Sequence, residues 1–151
     1  MPYLSVGAQG LKADPFKNNL GYNLRRASTA GMSRLAGQFA ALALRPTEAS
    51  VLLVIEANPG IRQSEVGRML DIRSANMAPL IGRLDDRGLI EREPVDGRSH
   101  GLSVNASGAE TVAAIKTEIE SHEALIRNAL GDLPEEIFMA VMKRIWKQLE
   151  E

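Results

Sequence analysis

Two short apolar-periodic segments separated by a tight break, followed at once by a pair of strand-like runs, constrain this chain more than any other feature. The stretch "RQSEVGRML", residues 62–70, sets Val66, Met69 and Leu70 on one helical face. After Asp71-Ile72-Arg73, "SANMAPLIGRLDDRGLI" sets Met77, Leu80, Ile81 and Leu84 on another, and Gly88 supplies the residue that ends a helix in a left-handed conformation. Two short helices and a turn predict a helix-turn-helix. The period then changes. Ile90, Arg92 and Pro94 alternate with Glu91, Glu93 and Val95, and Leu102 and Val104 alternate with polar neighbours. Two short strands are expected around the turn signal Asp96-Gly97.

Helices flank this unit on both sides. Asp14-Pro15 predicts a cap followed by proline at the first helical position, and Leu20, Leu24, Ala27, Gly31, Leu35, Phe39 and Leu42 recur at three- and four-residue steps. A long amphipathic helix follows, weakened at Gly21, Gly31 and Gly37, where a kink or an earlier break can occur. Pro46-Thr47 starts a second helix, with Thr47 as cap and Asn58-Pro59-Gly60 as stop. Asn105 caps a long helix whose stripe is Val112, Ile115, Ile119, His122, Ile126 and Leu130. After Gly131, Asp132 and Glu135 form a capping box for a last helix bearing Ile137, Val141, Ile145 and Leu149. The expected fold is mostly α with a small β-hairpin: a winged helix-turn-helix domain over residues 45–105, flanked by helical regions 15–44 and 106–151, with an N-terminal arm over 1–14.

The flanking helices carry more apolar stripe than one small winged helix can cover, and an exposed stripe of that size marks an interface, so a two-fold homodimer is expected. His122 and Trp146 lie on these stripes.

Composition narrows the chemistry. Without cysteine there is no disulfide, thiolate ligand, cysteine nucleophile or thiol redox sensor. Only His100 and His122 stand as histidines, so neither a zinc site nor any cofactor is expected. Asp85 and Asp86 are adjacent on a helix and point about 100° apart. Asp96, Ser99 and His100 crowd a hairpin tip, where a catalytic triad could not hold its geometry. No Gly-rich phosphate loop follows a strand. An enzyme is therefore not expected. No apolar run approaches a membrane span, and "MPYLSVGAQG" lacks the regions of a leader, so a cytoplasmic protein is expected. Every basic residue from Arg25 to Arg98 is arginine, whose planar fork suits phosphate and guanine; ordinary solvated surface charge is the other reading.

In order and spacing these segments resemble the MarR-type transcription regulators. The resemblance runs through "RQSEVGRML", then "RLDDRGLIER", then "DGR", and ends at "VNASG", where the family has Leu-Thr-x-x-Gly. It covers most of the chain. It implies that the hairpin is a wing whose Arg98 enters a DNA minor groove. Asp96 would orient Arg98 through a charge-assisted bond; a plain surface pair of the two is the alternative. The recognition helix would present Arg73, Ser74, Ala75, Asn76 and Ala78 to a major groove. Asn76 either pairs with adenine or caps the helix, and as cap it would put Pro79 third, where a missing donor costs nothing. With Ser74 as cap, Pro79 would stand fifth and kink the helix. This proline departs from the arginine or polar residue the family often carries there. Arg62 replaces the family's threonine or serine cap and would meet a phosphate, and Arg83 completes the expected DNA-binding set.

The family resemblance also implies the dimer and an effector, an aromatic carboxylate or a coenzyme A thioester, lodged between the DNA-binding lobe and the dimer helices. Tyr22, Arg25, Arg26 and His122 are the candidate wall residues. Arg25 and Arg26 could equally be surface charges, and His122 a packed interface histidine. The expected protein is a dimeric repressor of a pseudo-palindromic double-stranded operator, released by its effector. The alternative is an adaptor that keeps the winged helix and binds no DNA.

Overall fold

The computed structural model describes residues 13–150, so nearly all of the expected arm, residues 1–14, lies outside the described residues. The first helix, α1 (Leu20–Ala40), begins later than Asp14-Pro15 indicates. Asp14 Oδ1 accepts the Phe16 N–H in a local turn, and Asn19 Oδ1 accepts the Tyr22 N–H. Asn23 Nδ2 donates back to the carbonyls of Lys17 and Asn19. Two asparagines, not the proline, thus close the first turn. The helix runs unbroken through all three glycines and stops at Ala40, short of residue 44. Ala43 adopts a left-handed φ of 54°, and the Leu44 N–H returns to the Phe39 carbonyl at 3.0 Å. That stop turns the chain and buries Leu44.

In α2 (Pro46–Ala57) the cap is Arg45 and not Thr47, because Pro46 takes the first helical position. Then come β1 (Ile61–Arg62), α3 (Gln63–Met69), α4 (Ser74–Asp86), β2 (Ile90–Asp96), β3 (Ser99–Val104), α5 (Ala106–Leu130) and α6 (Glu135–Glu150). Asn105 caps α5 as expected: its Oδ1 accepts the Gly108 N–H, and its Nδ2 donates to the Gly88 carbonyl. The expected cap Asp132 is displaced. The Pro134 carbonyl receives the N–H groups of Ile137 and Phe138, and the Asp132 carboxylate makes no hydrogen bond among the described residues.

β2 and β3 form the expected antiparallel hairpin, Ile90 opposite Val104 and Arg92 opposite Leu102, with an irregularity between Pro94 and Asp96. A third strand joins them. β1 pairs antiparallel with β3, Ile61 opposite Leu102, giving the order β1-β3-β2. Gly101 allows the approach, since a Cβ there would stand 2.8 Å from the Gly60 carbonyl oxygen.

A single core gathers Phe39 of α1, Leu52 and Ile55 of α2, Val66 of α3, Leu102 of β3, and Val112 and Ile115 of α5. The expected face of α4 enters it whole, with Met77, Leu80, Ile81 and Leu84 all buried. Of the face expected around α3 only Val66 is buried: Leu70 is half-buried, and Met69 is 62% exposed. Asp71, at φ 52°, turns the chain between α3 and α4. A Cβ on Gly67 would stand 3.0 Å from the Ile72 carbonyl, so the two helices close tightly. Beyond Ile115 only His122 is buried among the described residues, and α6 buries nothing.

Candidate nucleic-acid interface

Because four residues of α4 point into the core, the rest of its first two turns faces outward. Ser74, Ala75, Asn76 and Ala78 are all exposed. Arg73 is the cap, with extended backbone, so neither Asn76 nor Ser74 takes that place. Asn76 is the third helical residue, its N–H on the Arg73 carbonyl at 2.9 Å. Its side chain makes no hydrogen bond among the described residues. Pro79 is sixth, inside the helix, and α4 continues past it to Asp86. It leaves the Ala75 carbonyl without its usual donor.

Arg73, Asn76, Pro79 and Arg83 line one side of a groove of about 560 Å³ whose other wall is Arg45 and Thr47 at the start of α2. Across the turn, Gln63, Ser64, Arg68, Arg73 and Ser74 line a second groove of about 450 Å³. Arg73, Asn76 and Arg83 are therefore brought together as a set. Arg45, Thr47 and Arg68 were not foreseen in it. Pro46 was the available signal for Arg45, since a proline at the first helical position makes the preceding residue the cap.

Arg83 is not wholly free. Its Nε donates to Glu48 Oε1 at 2.6 Å, while Glu48 Oε2 accepts the Arg45 N–H at 2.9 Å. Burial works against ionisation of Glu48, but the Arg45 N–H and the Arg83 hydrogen bond and charge outweigh it and hold the carboxyl below its ordinary range.

The wing is tied differently from expectation. Asp96 Oδ1 accepts the backbone N–H groups of Arg98 and Ser99, at 3.1 and 2.9 Å. Its ionic partner is Arg62, Nη2 to Oδ2 at 3.3 Å, and not the Arg98 guanidinium. A carboxylate one residue from the turn is better placed to cap main-chain donors than to reach back along its own strand. The Arg98 N–H is the main cause that lowers the Asp96 carboxyl, followed by Ser99, with the Arg62 charge a lesser one. Arg62 thus ties the tip of the wing to β1 where a phosphate contact was expected. Arg98 stands exposed at the tip, its guanidinium unpaired among the described residues. Arg92 Nε, bonded to Asp85 at 3.0 Å, fastens β2 to the end of α4.

The effector candidates separate into two places. The Arg25 and Arg26 guanidinium carbons lie 5.4 and 5.8 Å from the Tyr22 ring centroid, and the Phe16 ring lies 5.6 Å from it. His122, 8% exposed, packs instead against Gly31, with Nδ1 buried and unpartnered. Gly31 is nine residues from Tyr22, about 13 Å along α1 and on its opposite face. Within one chain the histidine does not join the other three.

A model of the MarR family matches residues 44–99. Among solved structures, the chain is similar to the transcriptional repressor CouR bound to a 23-mer DNA duplex: identity is 31%, TM-score 0.79, and coverage 91% of this chain and 99% of that one. It is also similar to CouR bound to p-coumaroyl-CoA, at 29% identity and TM-score 0.75 over 90% and 97% of the two chains. A Thauera aromatica protein described as a transcriptional regulatory protein for the hcr operon is 26% identical over 135 residues, 87% of this chain and 81% of that protein.

Proposed function

This chain belongs to the MarR family, and on that premise we propose that it is a homodimeric, sequence-specific DNA-binding repressor, released from its operator by a small aromatic acid or its coenzyme A thioester. The observation that carries the reading is the gathering of Arg45, Arg73, Asn76 and Arg83 along one groove beside the outward face of α4, with Arg98 exposed at the wing tip. Cationic forks along one flank of a protruding helix, with a further one at the wing tip, fit the phosphate walls that border a major groove. Arg73 and Arg83 then meet phosphates, Ser74, Ala75, Asn76 and Ala78 meet base edges, and Arg98 enters the adjacent minor groove. The Arg62–Asp96 pair keeps the wing at a fixed angle to α3.

Residues 45–105 form the DNA-binding unit, and regions 15–44 and 106–151 form the dimer. Leu125 on α5, Leu133 in the turn after it, and Ile137, Trp146 and Leu149 on α6 are exposed, an apolar face that a second copy would cover. Two recognition helices about 34 Å apart would then demand a pseudo-palindromic operator. The proposed setting is the cytoplasm.

Tyr22 with Arg25 and Arg26 offers an aromatic plane beside two cations, suited to an aromatic acid or to the anionic groups of a coenzyme A ester. His122, with an unmet polar atom in a buried place against Gly31, lies apart from these three within one chain and would join that wall only across the dimer. Release of DNA requires that the effector bind the free arrangement better than the DNA-bound one, and DNA must then weaken the effector by the same factor.

Selecting an operator from a random library, footprinting it, and titrating the complex with p-coumaroyl-CoA and a series of aromatic acids tests the reading. A two-fold footprint lost on adding one of these compounds is expected. No selectable DNA would sink the DNA-binding reading, and equal effector affinity with and without operator would sink the inducer.

A further inference from the structure

We propose that Glu48 is a positioning residue for DNA binding, holding the Arg83 guanidinium by one edge so that its other edge faces a backbone phosphate. The inference rests on the DNA-binding reading above and assigns a role to a buried acid that itself touches no DNA.

Glu48 is 5% exposed and is the only buried carboxylate among the described residues. A carboxylate in such a place is costly unless its oxygens are met. Here each has a partner, the Arg45 N–H on Oε2 and Arg83 Nε on Oε1. Capping alone does not call for this burial. Glu65 makes the same cap bond to the Arg62 N–H at 2.9 Å from a half-buried position and has no arginine partner among the described residues. The second bond of Glu48 is therefore additional to helix capping.

The way Arg83 is held matters as much as the fact. It pairs through Nε, and its two terminal nitrogens make no bond to protein among the described residues. Its side chain is 41% exposed, along the groove that also holds Arg45, Arg73 and Asn76. A guanidinium has donors on two edges, so one can be fixed internally while the other remains open to a phosphate. Ordering the long side chain in the free protein lowers what must be ordered on binding.

A competing effect makes the proposal testable by sign. Glu48→Gln changes the formal net charge from -1 to 0, which by long-range attraction alone would strengthen DNA binding. Positioning demands the reverse. The experiment follows fluorescence anisotropy of a random-sequence duplex over a salt series with the full-length protein. Wild type should bind with steep salt dependence; if it does not, the DNA-binding reading fails and this inference fails with it. Where wild type binds, Glu48→Gln should weaken binding up to about tenfold and flatten the salt slope by about one, despite the gained positive charge. On an Arg83→Gln background the same change should add nothing. Binding by Glu48→Gln as tight as wild type or tighter, or an equal loss on both backgrounds, overturns the proposal. If melting shows that Glu48→Gln does not fold, Arg83→Lys carries the test. Lysine keeps the charge, but its single ammonium cannot serve both sides, so it should bind as weakly as Arg83→Gln. Wild-type affinity in Arg83→Lys overturns the proposal.

Discussion

The winged core and the terminal helices are written in the same kind of sequence, apolar residues at helical spacing, and end in opposite conditions. Every buried apolar side chain among the described residues lies between Phe39 and Ile115. Val51, Leu52 and Ile55 of α2 are enclosed because α1, α3, β3 and α5 all pack on that helix. Ile137, Val141 and Leu149 of α6 follow an equally regular pattern, and all are exposed. Amphipathic spacing prepares a face for burial, but only a facing surface buries it. The winged part finds its surfaces within one chain; α6 must take them from outside. Stability of the first is a property of the chain, whereas that of the second is linked to concentration.

The sharpest way to break this comparison is to truncate one residue in each region. Leu52→Ala should cost about 2–5 kcal/mol in urea unfolding, whatever the protein concentration. Leu149→Ala, at a residue 78% exposed, should leave unfolding of the dilute protein within about 0.5 kcal/mol of the parent. Its effect should fall on dimerisation and on the concentration dependence of Tm. Equal losses from the two at all concentrations would remove the distinction.

Surface changes on the winged part should alter DNA binding and leave stability alone. Asn76→Ala should cost about 1–3 kcal/mol at particular operator positions, with little change on random DNA. Its Tm should not move, because Arg73 holds the cap position; a loss of about 1 kcal/mol of stability would restore Asn76 as a cap. Arg98→Ala is smaller and less selective. It should lower affinity for operator and random DNA alike and reduce the salt slope by about one. An unchanged slope would mean that the wing is not a DNA element.

The smallest effect concerns acid. The folded protein holds the Glu48 carboxyl below its ordinary value. Its stabilisation is therefore full above the unfolded value, about 4.3, and is lost as pH falls through the lower folded value. The stability gap between wild type and Glu48→Gln, followed by denaturant unfolding, should narrow over that acid range. A gap that stays constant with pH would mean that the carboxylate charge contributes nothing.

Local chemistry made much of the fold legible. The inward face of α4, the Asn105 cap, the left-handed stop at Gly88 and the hairpin after Ile90 each depend on residues within a few positions of one another, and each stands where its pattern indicates. The start of α1 is ambiguous at this same scale: Asp14-Pro15 and Asn19 offer competing caps a few residues apart, and the side-chain bonds of Asn19 and Asn23 favour the later one. Of the candidate site, the sequence indicated Arg73, Asn76 and Arg83, which share a groove, but not Arg45 and Thr47 on its other wall.

What the sequence by itself determined was which segments are helical, which faces are apolar and where the chain must turn, because steric preference, capping and periodicity act over a few residues. Only the tertiary structure decided the two-residue strand β1, which has no pattern of its own and exists because Leu102 and Gly101 lie opposite it. It decided that the Asp96 carboxylate pairs with the guanidinium of Arg62 and not with that of Arg98, and that Glu48 lies buried against an arginine 35 positions away. Such pairings are chosen by distance in space after the core has closed, and a charge in the sequence has many possible partners until packing leaves it one.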